Sequence, residues 1–442
     1  MRTTRVVIPT LHAGQVRAYK VFRKNRFVAI RAGRRWGKTE LDKTILCDAT
    51  IKGSTTGWFA PDYKRLTEAY HEIAEILRPV KQSSSRVEGV IRTRTGGRMD
   101  FWTLEDEHAG RSRRYHIAAI DEAAFTKPNM MDIWERAIKP TLLDFNGKCL
   151  VTSNTNGIDA TNFLWRICNQ PEHGFAQYHA PTSDNPLIPF PLPGEPPEAY
   201  AARRAQMLDD LRTQNHPLVY QQEYLAEFVD WSGVAFFSRD KLLVNGEPVP
   251  LPTRCEAVYA VVDTATKTGK ANDGTGVIYF AILARGAEKR LVVLDWDLVQ
   301  IEGALLETWL PVVFQNLEAL AKETGARMGA LGTWIEDKSS GMVLLQHAVK
   351  KGWKAHAIDS KLTAVGKDER AISVSGYVYR ELVKLSARAF DKVTSYKGAT
   401  RNQLLTQVIG FRIGDKDTNR EDDLLDAWCY AIAIALGNQE GY

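Results

Sequence analysis

The sequence has few cysteines and no long apolar run, and these absences exclude several classes of protein. Its 442 residues include five cysteines, none of them in a CxxC pair, so neither a disulfide framework nor a zinc cage is expected. No apolar stretch reaches the length of about 18 residues that a transmembrane helix needs. The N-terminus, MRTTRVVIPT, lacks the apolar core of a signal peptide, so we expect a reduced cytosolic protein.

The composition is that of a protein that folds around a core and carries its charge unevenly. Hydrophobic residues make up 44% and charged residues 25%, and this length corresponds to two or three domains. Residues 1–120 contain 24 Lys and Arg against 12 Asp and Glu, whereas residues 121–230 contain 8 against 15. A basic N-terminal third suits a polyanionic partner, either nucleotide phosphates or a nucleic acid backbone. A solvated basic face explains the same balance equally well.

Apolar runs alternate with helical periodicity in the first half, which predicts a parallel α/β sheet. Paired strands are expected around Gly96-Gly97, and the proline-rich stretch 181–197 is expected to be irregular. A helical stretch is predicted from about residue 198 to 229. The predicted strands and helices of this half are strands at 27–30, 56–60, 117–120 and 149–152 and helices at 40–51 and 66–80.

The second half opens after a segment rich in glycine and proline, which we interpret as a linker. Strands are predicted at 257–263, 276–283 and 291–296, and helices at 302–324, 369–390 and 422–436. The predicted domain boundaries are therefore 1–231 for the first domain, 232–256 for the linker and 257–442 for the second domain.

The segment between the first predicted strand and helix has the pattern of a phosphate-binding loop. Backbone N–H groups at the start of a helix can cradle phosphates, Lys38 can reach the β- and γ-phosphates, and Thr39 can ligate Mg²⁺. Ala32 stands where the usual pattern has its first glycine. The candidate nucleotide-binding residues of this loop are Gly33, Arg34, Arg35, Trp36, Gly37, Lys38 and Thr39.

Two carboxylates end the apolar strand 117–120, and they favour an ATPase. Asp121 can hold the Mg²⁺ shell, and Glu122 can orient and deprotonate the attacking water. Asn154, with Thr152 and Ser153, ends the next strand and suits a sensor of the γ-phosphate. Gln15 precedes the loop, where an amide can read adenine. Candidate transition-state arginines are Arg34 and Arg35 in the loop and Arg111, Arg113 and Arg114 before the acidic strand.

Three acidic clusters follow strands or begin a helix in the second half, and they predict a metal-dependent nuclease. Asp263 ends one strand, Glu336 and Asp337 end another, and Asp422, Asp423 and Asp426 open the last helix. Converging carboxylates can bind one or two Mg²⁺ or Mn²⁺ ions that activate water and stabilise the leaving oxygen of a phosphodiester. Acids at a helix N-terminus also complement the helix dipole, which is the simpler explanation for Asp422 and Asp423 taken alone.

In chain order, these motifs resemble those of the large terminase subunit of tailed bacteriophages, the DNA-packaging motor. RAGRRWGKT is similar to its phosphate loop, AAIDEAAF to its acidic strand and VTSNTNG to its coupling motif. QQEYLAEFVDWSGVAFF resembles the segment leaving the ATPase domain, and IEDKSSG and EDDLLDAW resemble nuclease motifs. The resemblance implies an additional-strand P-loop ATPase domain followed by a nuclease domain with an RNase H-like fold.

The resemblance also implies roles, cofactors and partners. Gln15 would contact adenine, Arg111 would act as an arginine finger in trans, and Asp263, Glu336 and Asp423 would hold the nuclease metal, with Asp337, Asp422 and Asp426 as close rivals. ATP with Mg²⁺, and Mg²⁺ or Mn²⁺ at the nuclease site, are the implied cofactors. The implied partners are double-stranded DNA, the portal protein, a small terminase subunit and further copies in a ring, typically a pentamer, docked on the procapsid in the host cytoplasm.

Other classes of function remain open at this point. A P-loop DNA translocase or helicase without nuclease activity explains the first half equally well, but it does not use the carboxylates of residues 257–436. A capsid assembly factor with vestigial motifs is opposed by the intact set Lys38, Thr39, Asp121 and Glu122. A resolvase-type nuclease with an accessory ATPase has the same chemistry.

Overall fold

The structure is a computed structural model, and it describes residues 5–231, 236–264, 274–285, 288–300, 306–337, 340–413 and 422–437. The chain divides into two compact units, Met1–Thr213 with Pro217–Asp230, and Gln214–His216 with Trp231–Tyr442. All five cysteines are buried and free. No helix in the described ranges is long and apolar enough to cross a membrane.

The first unit is built on an eight-stranded sheet with helices on its faces. Its strands are β1 Phe27–Ala32, β2 Thr55–Ala60, β3 Lys81–Ser85, β4 Val90–Thr93, β5 Arg98–Thr103, β6 Ile117–Ile120, β7 Lys148–Ser153 and β8 Ala176–Ala180. Its helices are α1 Ala13–Lys24, α2 Lys38–Ile51, α3 Tyr63–Ile76, α4 Met130–Ile133, α5 Phe163–Asn169, α6 Pro197–Gln214 and α7 Pro217–Val219.

The strand order of this sheet, β3-β4-β5-β2-β6-β7-β1-β8, decides its class. The six neighbouring strands β5, β2, β6, β7, β1 and β8 run parallel, and β4 and β3 add an antiparallel edge next to β5. Because β7 lies between β1, which carries the loop, and β6, which carries the acids, the sheet has the additional strand that the resemblance implies. Two clusters of buried apolar side chains pack the unit, and the central strands are largely apolar because both sheet faces are covered.

The second unit contains a six-stranded mixed sheet. The strands of the unit are β9 Ala257–Asp263, β10 Thr275–Arg285, β11 Glu288–Val299, β12 Ala330–Ile335, β13 Ala355–Ala357 and β14 Val383–Leu385, which form the sheet, and β15 Thr394–Tyr396 and β16 Ala399–Arg401, which lie outside it. Its helices are α8 Arg239–Leu242, α9 Leu306–Glu323, α10 Ser340–Lys351, α11 Ser360–Thr363, α12 Lys367–Tyr379, α13 Ala387–Asp391, α14 Gln403–Gly410 and α15 Asp423–Leu436.

The order of this sheet is β13-β12-β9-β10-β11-β14, and β15 and β16 form a separate hairpin. The strands β9, β10 and β11 are antiparallel neighbours, whereas β12 runs parallel to β9 and β13 to β12. This is the RNase H-like arrangement. Because β9 and β12 are parallel neighbours, their carboxyl ends deliver side chains to one edge of the sheet.

Most predicted elements are confirmed, and the departures have local causes. The predicted helix 369–390 is wrong beyond Tyr379: Glu381 has a left-handed backbone (φ 62°), and Val383–Leu385 then joins the sheet beside β11. The predicted helical stretch 198–229 is interrupted before Pro217, which cannot donate a backbone hydrogen bond. It is wrong beyond Tyr224, since Ala226 has a left-handed backbone (φ 53°). The predicted helix 302–324 is seen from Leu306, and residues 302–305 lie outside the described ranges.

Candidate functional site

The phosphate loop connects β1 to α2 through a sharp reversal of the backbone. Arg35 (φ 63°) and Gly37 (φ 99°) both adopt left-handed conformations, and α2 begins at Lys38. A Cβ at Gly33 would lie 2.4 Å from the carbonyl oxygen of Tyr224, so this position accepts only glycine. Ala32 is the last residue of β1 and has ordinary strand geometry. Replacement of the usual first glycine therefore leaves the close approach at Gly33 intact.

Side chains from other segments hold the carbonyl groups of the loop. Four consecutive carbonyls each accept one such hydrogen bond: Arg34 from Thr182 (2.7 Å), Arg35 from Asn185 (2.8 Å), Trp36 from His12 (2.8 Å) and Gly37 from Gln15 (2.7 Å). All four carbonyls are thereby engaged by side chains. Among the described residues, no acceptor is seen for the backbone N–H groups of Arg35, Gly37, Lys38 and Thr39. Unused N–H groups at a helix start are the donors that bind phosphate.

Gln15 and His12 brace the loop from the N-terminal helix. Gln15 is buried, and its amide oxygen accepts from the His12 backbone N–H (2.9 Å) while its amide nitrogen donates to Gly37. The Nδ1 atom of His12 accepts from Gly14 N, which leaves Nε2 to donate to Trp36. The contact of Gln15 with adenine stays a prediction. Its role at the loop, and that of His12, were not visible in the sequence because neither lies in a recognisable motif.

The acids at the end of β6 lie against the start of α2. The Thr39 hydroxyl donates to Asp121 Oδ2 (3.2 Å), and Lys38 Nζ donates to the Ala32 carbonyl (3.0 Å). Burial, and then the charge of Glu122, raise the pKa of Asp121 to about 7. Glu122 has a left-handed backbone (φ 51°), and its carboxylate accepts from Ser153 Oγ (3.3 Å). The structure thus brings together the loop, both acids and the end of β7.

A further acid, Asp42 on α2, lies behind this site and was missed from the sequence. Its side chain is fully buried, and burial, followed by the charge of Asp121, holds its pKa well above the usual range. The Thr152 hydroxyl lies 2.5 Å from Asp42 Oδ2 and 3.2 Å from Asp121 Oδ1. One hydroxyl proton cannot serve both carboxylates. Protonated Asp42 can donate to Thr152, which then donates to Asp121.

These pKa shifts predict that the stability of the first unit falls with rising pH. Folded Asp121 holds a proton up to about pH 7, whereas unfolded Asp121 loses it near its ordinary pKa of 3.8. The folded state therefore binds more protons between these values, and its stability declines across that window. The variant Asp121→Asn should lose less stability. The measurement is thermal unfolding in EDTA from pH 5 to 8. Over this range the Tm of the variant minus the Tm of wild type should increase by at least about 2 °C, the shift that about 1 kcal/mol produces. Parallel curves would contradict the prediction.

The candidate arginines have different surroundings. Arg34 Nε lies 2.5 Å from Glu223 Oε2. Arg113 Nε lies 3.5 Å from Asp100 Oδ2, and Arg114 Nε lies 3.7 Å from Asp144 Oδ2. Arg35 and Arg111 are exposed. Arg111 lies on the segment between β5 and β6, and its role as a finger in trans stays a prediction.

Three acids of the second unit come together where β9, β12 and α15 meet. Asp263 ends β9, Glu336 follows β12, and Asp423 begins α15. Burial, with the charges of Asp426, Asp423 and Glu336, holds the pKa of Asp263 well above its usual range. Gly274 N donates to Asp423 Oδ2 (3.0 Å), and Tyr430 Oη donates to Glu336 Oε1 (3.3 Å). Tyr430 is a contact that the sequence did not suggest.

Asp422 and Asp426 differ from these three acids because α12 provides them with cations. Lys367 forms an ion pair with Asp422, and Arg370 Nη1 lies 2.5 Å from Asp426 Oδ1. Arg370 is buried and its guanidinium lies 4.2 Å from the centre of the Tyr430 ring. Asp337 is not among the main causes of the raised Asp263 pKa. By this measure Asp337 is set apart from Asp263, Glu336 and Asp423, whereas Asp426 acts on Asp263 more strongly than either other acid and is distinguished only by its ion pair with Arg370.

The donor set fits a hard divalent cation. In the described part of the chain, no group of three or more His, Cys, Asp or Glu side chains is spaced so that it could hold a metal ion as the side chains stand. Carboxylate oxygens are nevertheless the ligands that Mg²⁺ and Mn²⁺ take. Burial and like charge oppose ionisation of Asp263, and a bound cation would offset both effects.

A close backbone contact explains why the IEDKSSG motif ends in a glycine, Gly341. A Cβ at this position would lie 1.8 Å from the carbonyl oxygen of Glu336, which is backbone and cannot turn away. We expect Gly341→Ala to displace Glu336 and to lower metal-dependent DNA cleavage by about tenfold or more, as misplacement of a reacting group does, while ATP hydrolysis stays near wild type. Gly366→Ala is the control because a Cβ there has nothing within 4 Å. Equal cleavage by both variants would contradict this explanation.

Together these features define the classes of the two units: an additional-strand P-loop nucleoside triphosphatase fold and an RNase H-like nuclease fold. No protein-family model and no curated protein sequence matches the chain. Among solved structures, the large terminase of a thermophilic bacteriophage matches with a TM-score of 0.62 and 13% identity, over 97% of this chain and 100% of that chain. The same terminase in complex with ADP matches with a TM-score of 0.63 and 13% identity, over the same shares. The chain therefore has the fold of a tailed-phage large terminase across both units, as the sequence motifs imply.

Proposed function

We propose that this protein is the ATP-driven motor that packages viral double-stranded DNA into a capsid and cuts it with a metal-dependent endonuclease. One observation carries the proposal: a single chain combines a P-loop backed by Asp121 and Glu122 with a cluster of Asp263, Glu336 and Asp423 on an RNase H-like sheet. We assign residues 1–231 to the ATPase, 232–256 to a linker and 257–442 to the nuclease.

In the ATPase, the chain's own groups bind and orient ATP. The unused N–H groups of the loop bind phosphate oxygens, and Lys38 neutralises charge on the β- and γ-phosphates. Thr39 and Asp121 would hold Mg²⁺, which supplies charge neutralisation when bound. Glu122 orients the attacking water and accepts its proton. Gln15 contacts adenine and a neighbouring copy's Arg111 stabilises the transition state, while Asn154 senses the terminal phosphate. The ADP complex of the thermophilic phage terminase supports nucleotide binding by this fold.

In the nuclease, Asp263, Glu336 and Asp423 would hold Mg²⁺ or Mn²⁺, which activates water and stabilises the leaving oxygen when bound. Tyr430 keeps Glu336 oriented through its hydroxyl. Backbone contacts to DNA dominate because packaging must accept any sequence. The portal protein, a small terminase subunit and a ring of copies, of which a pentamer is the usual form, are the proposed partners. The motor would act in the host cytoplasm, docked on the procapsid.

The test is incubation of the purified protein with supercoiled plasmid and Mn²⁺ or Mg²⁺, against an EDTA control, together with an assay of phosphate release from ATP. We expect metal-dependent cutting and DNA-stimulated hydrolysis. A folded protein that hydrolyses ATP but cuts in neither metal would favour the alternative, a P-loop DNA translocase without nuclease activity. The carboxylate cluster argues against that alternative. Asp423 is buried, and burial together with the neighbouring acids raises the pKa of Asp263, so a cation is the natural partner of this cluster.

A further inference from the structure

Two basic residues of α12 face two acids at the start of α15. Lys367 forms an ion pair with Asp422, and Arg370 Nη1 lies 2.5 Å from Asp426 Oδ1. The spacings match, since residues three or four positions apart lie on the same face of a helix. The Lys367 and Asp422 side chains are partly exposed, whereas those of Arg370 and Asp426 are only 9% and 17% exposed. The inner ion pair is therefore screened little by water.

Arg370 is also held by two groups other than Asp426. Its Nη2 donates to the Val365 carbonyl (2.9 Å), and its guanidinium lies 4.2 Å from the centre of the Tyr430 ring. Tyr430 lies one turn after Asp426 on α15, so the guanidinium covers two side chains of one helix face. Among the described residues, Arg370 Nε has no acceptor. Asp426 is thus the carboxylate that balances the buried charge of Arg370.

Asp426 acts electrically on the acids that we assign to the nuclease metal. Burial raises the pKa of Asp263 most, and the charge of Asp426 comes next, ahead of the charges of Asp423 and Glu336. Asp426 also lies three residues after Asp423, on the same face of α15. In its effect on Asp263, Asp426 therefore belongs to the cluster as much as the proposed ligands do, and its pairing with Arg370 sets it apart.

An acid that is paired with a buried arginine is a poor ligand for a metal ion. To bind a cation, Asp426 would have to leave Arg370, whose charge would then stay buried without a carboxylate. Arginine suits this role because it keeps its charge when buried, and because its planar fork can hold a carboxylate, a carbonyl group and a ring at once. The contacts of Arg370 with Asp426, Val365 and Tyr430 use all three possibilities.

We propose that Arg370 is a positioning residue that withholds Asp426 from the nuclease metal, so that Asp263, Glu336 and Asp423 form the ligand set. This inference rests on the proposed nuclease and extends it from the ligands to the residue that selects them. Without Arg370, Asp426 would be an uncompensated acid beside the cluster, and a divalent cation would replace its lost partner. The metal would then bind more tightly, with a ligand set that is not the one used for cutting.

The test titrates Mn²⁺ into the purified protein without nucleotide, by calorimetry, and measures plasmid cutting by the same preparations. The heat that is lost in Asp263→Asn identifies the nuclease site. For Arg370→Gln, we expect Mn²⁺ to bind there about tenfold more tightly, because affinity follows the number of charged ligands. Cutting at saturating Mn²⁺ should fall about tenfold or more, as it does when the surroundings of metal ligands change. Tighter binding with slower cutting is not the result of a merely structural defect.

The double variant Arg370→Gln, Asp426→Asn gives a second, independent measurement. It removes both charges and leaves two amides that can hydrogen bond to each other, so it buries no unpaired charge and should fold even where Arg370→Gln alone does not. Because neither residue is a ligand in the proposal, the two substitutions should compensate each other. We expect both Mn²⁺ affinity and cutting within about threefold of wild type.

A matched control breaks a different ion pair of the second unit. Arg388→Gln, which removes the exposed partner of Glu323, should change neither measurement, and ATP hydrolysis should stay near wild type in every variant. Weaker or unchanged Mn²⁺ binding by folded Arg370→Gln would overturn the proposal. Loss of cutting in the double variant to the level of Asp263→Asn would also overturn it, since Asp426 would then be a ligand. A folded wild-type protein that neither binds Mn²⁺ at Asp263 nor cuts plasmid would instead overturn the proposed nuclease.

Discussion

Lys38→Ala should lower ATP hydrolysis by about 10²–10³-fold, the usual effect of removing one preorganised positive donor from a charged transition state. Lys38 is buried at the first turn of α2, and its ammonium group donates to the carbonyl of Ala32, the residue that precedes the loop. It is thus held beside the four N–H groups that can take phosphate. The measurement is phosphate release with and without DNA, and plasmid cutting by the same preparation should persist.

Two further variants sharpen this prediction. Lys64→Ala removes an exposed lysine of α3 and should keep wild-type hydrolysis. Glu122→Gln leaves the loop unchanged but removes the base that activates water, so it should bind ATP and fail to hydrolyse it. A Lys38→Ala protein that retains more than a tenth of wild-type turnover would be incompatible with the proposed role of the loop. Loss of plasmid cutting in the same folded variant would contradict two separate sites.

The sequence was most informative where a backbone motif and a strand end coincide. The loop was predicted from its glycine, lysine and threonine pattern between a strand and a helix. The acids after β6 and Asp263 after β9 were predicted because each follows an apolar strand. Rivals such as Asp422 and Asp423 could not be separated, because they are adjacent on the chain and their surroundings depend on α12. Only the folded chain shows that Lys367 pairs with Asp422.

Contacts between distant segments were beyond the reach of the sequence. Glu223 is 189 positions from Arg34, and Asp42 is 110 positions from Thr152. Asp42 has the spacing of an ordinary helix residue, and a pair of buried acids that share one hydroxyl is a tertiary feature, since burial and not spacing raises their pKa values. Glu223 lies in a segment that resembles a terminase motif, but nothing in that resemblance indicates its contact with the phosphate loop.

Asp263→Asn should lower the rate of metal-dependent DNA cleavage by about 100-fold or more and leave ATP hydrolysis near wild type. Asparagine keeps the shape but removes a negative charge that strengthens the binding of a divalent cation. Burial and the neighbouring acids oppose that charge in the folded protein, so the same variant should be at least as stable as wild type near neutral pH. Activity and stability therefore move in opposite directions, which separates loss of a ligand from loss of fold. The measurements are plasmid cutting in Mn²⁺ and thermal unfolding.

Comparison among the acids gives the decisive control. Asp423→Asn should match Asp263→Asn in lost cleavage, because Asp423 is buried and helps raise the pKa of Asp263. Asp422→Asn, which loses only an ion pair with Lys367 at a partly exposed site, should lower cutting less than about threefold, as surface pairs contribute little. Asp391→Asn, an exposed residue of α13, should have no effect. If Asp422→Asn instead abolished cutting while Asp423→Asn retained it, the metal would have to lie on the α12 side of α15, and Lys367 would have to release its partner before the ion could bind.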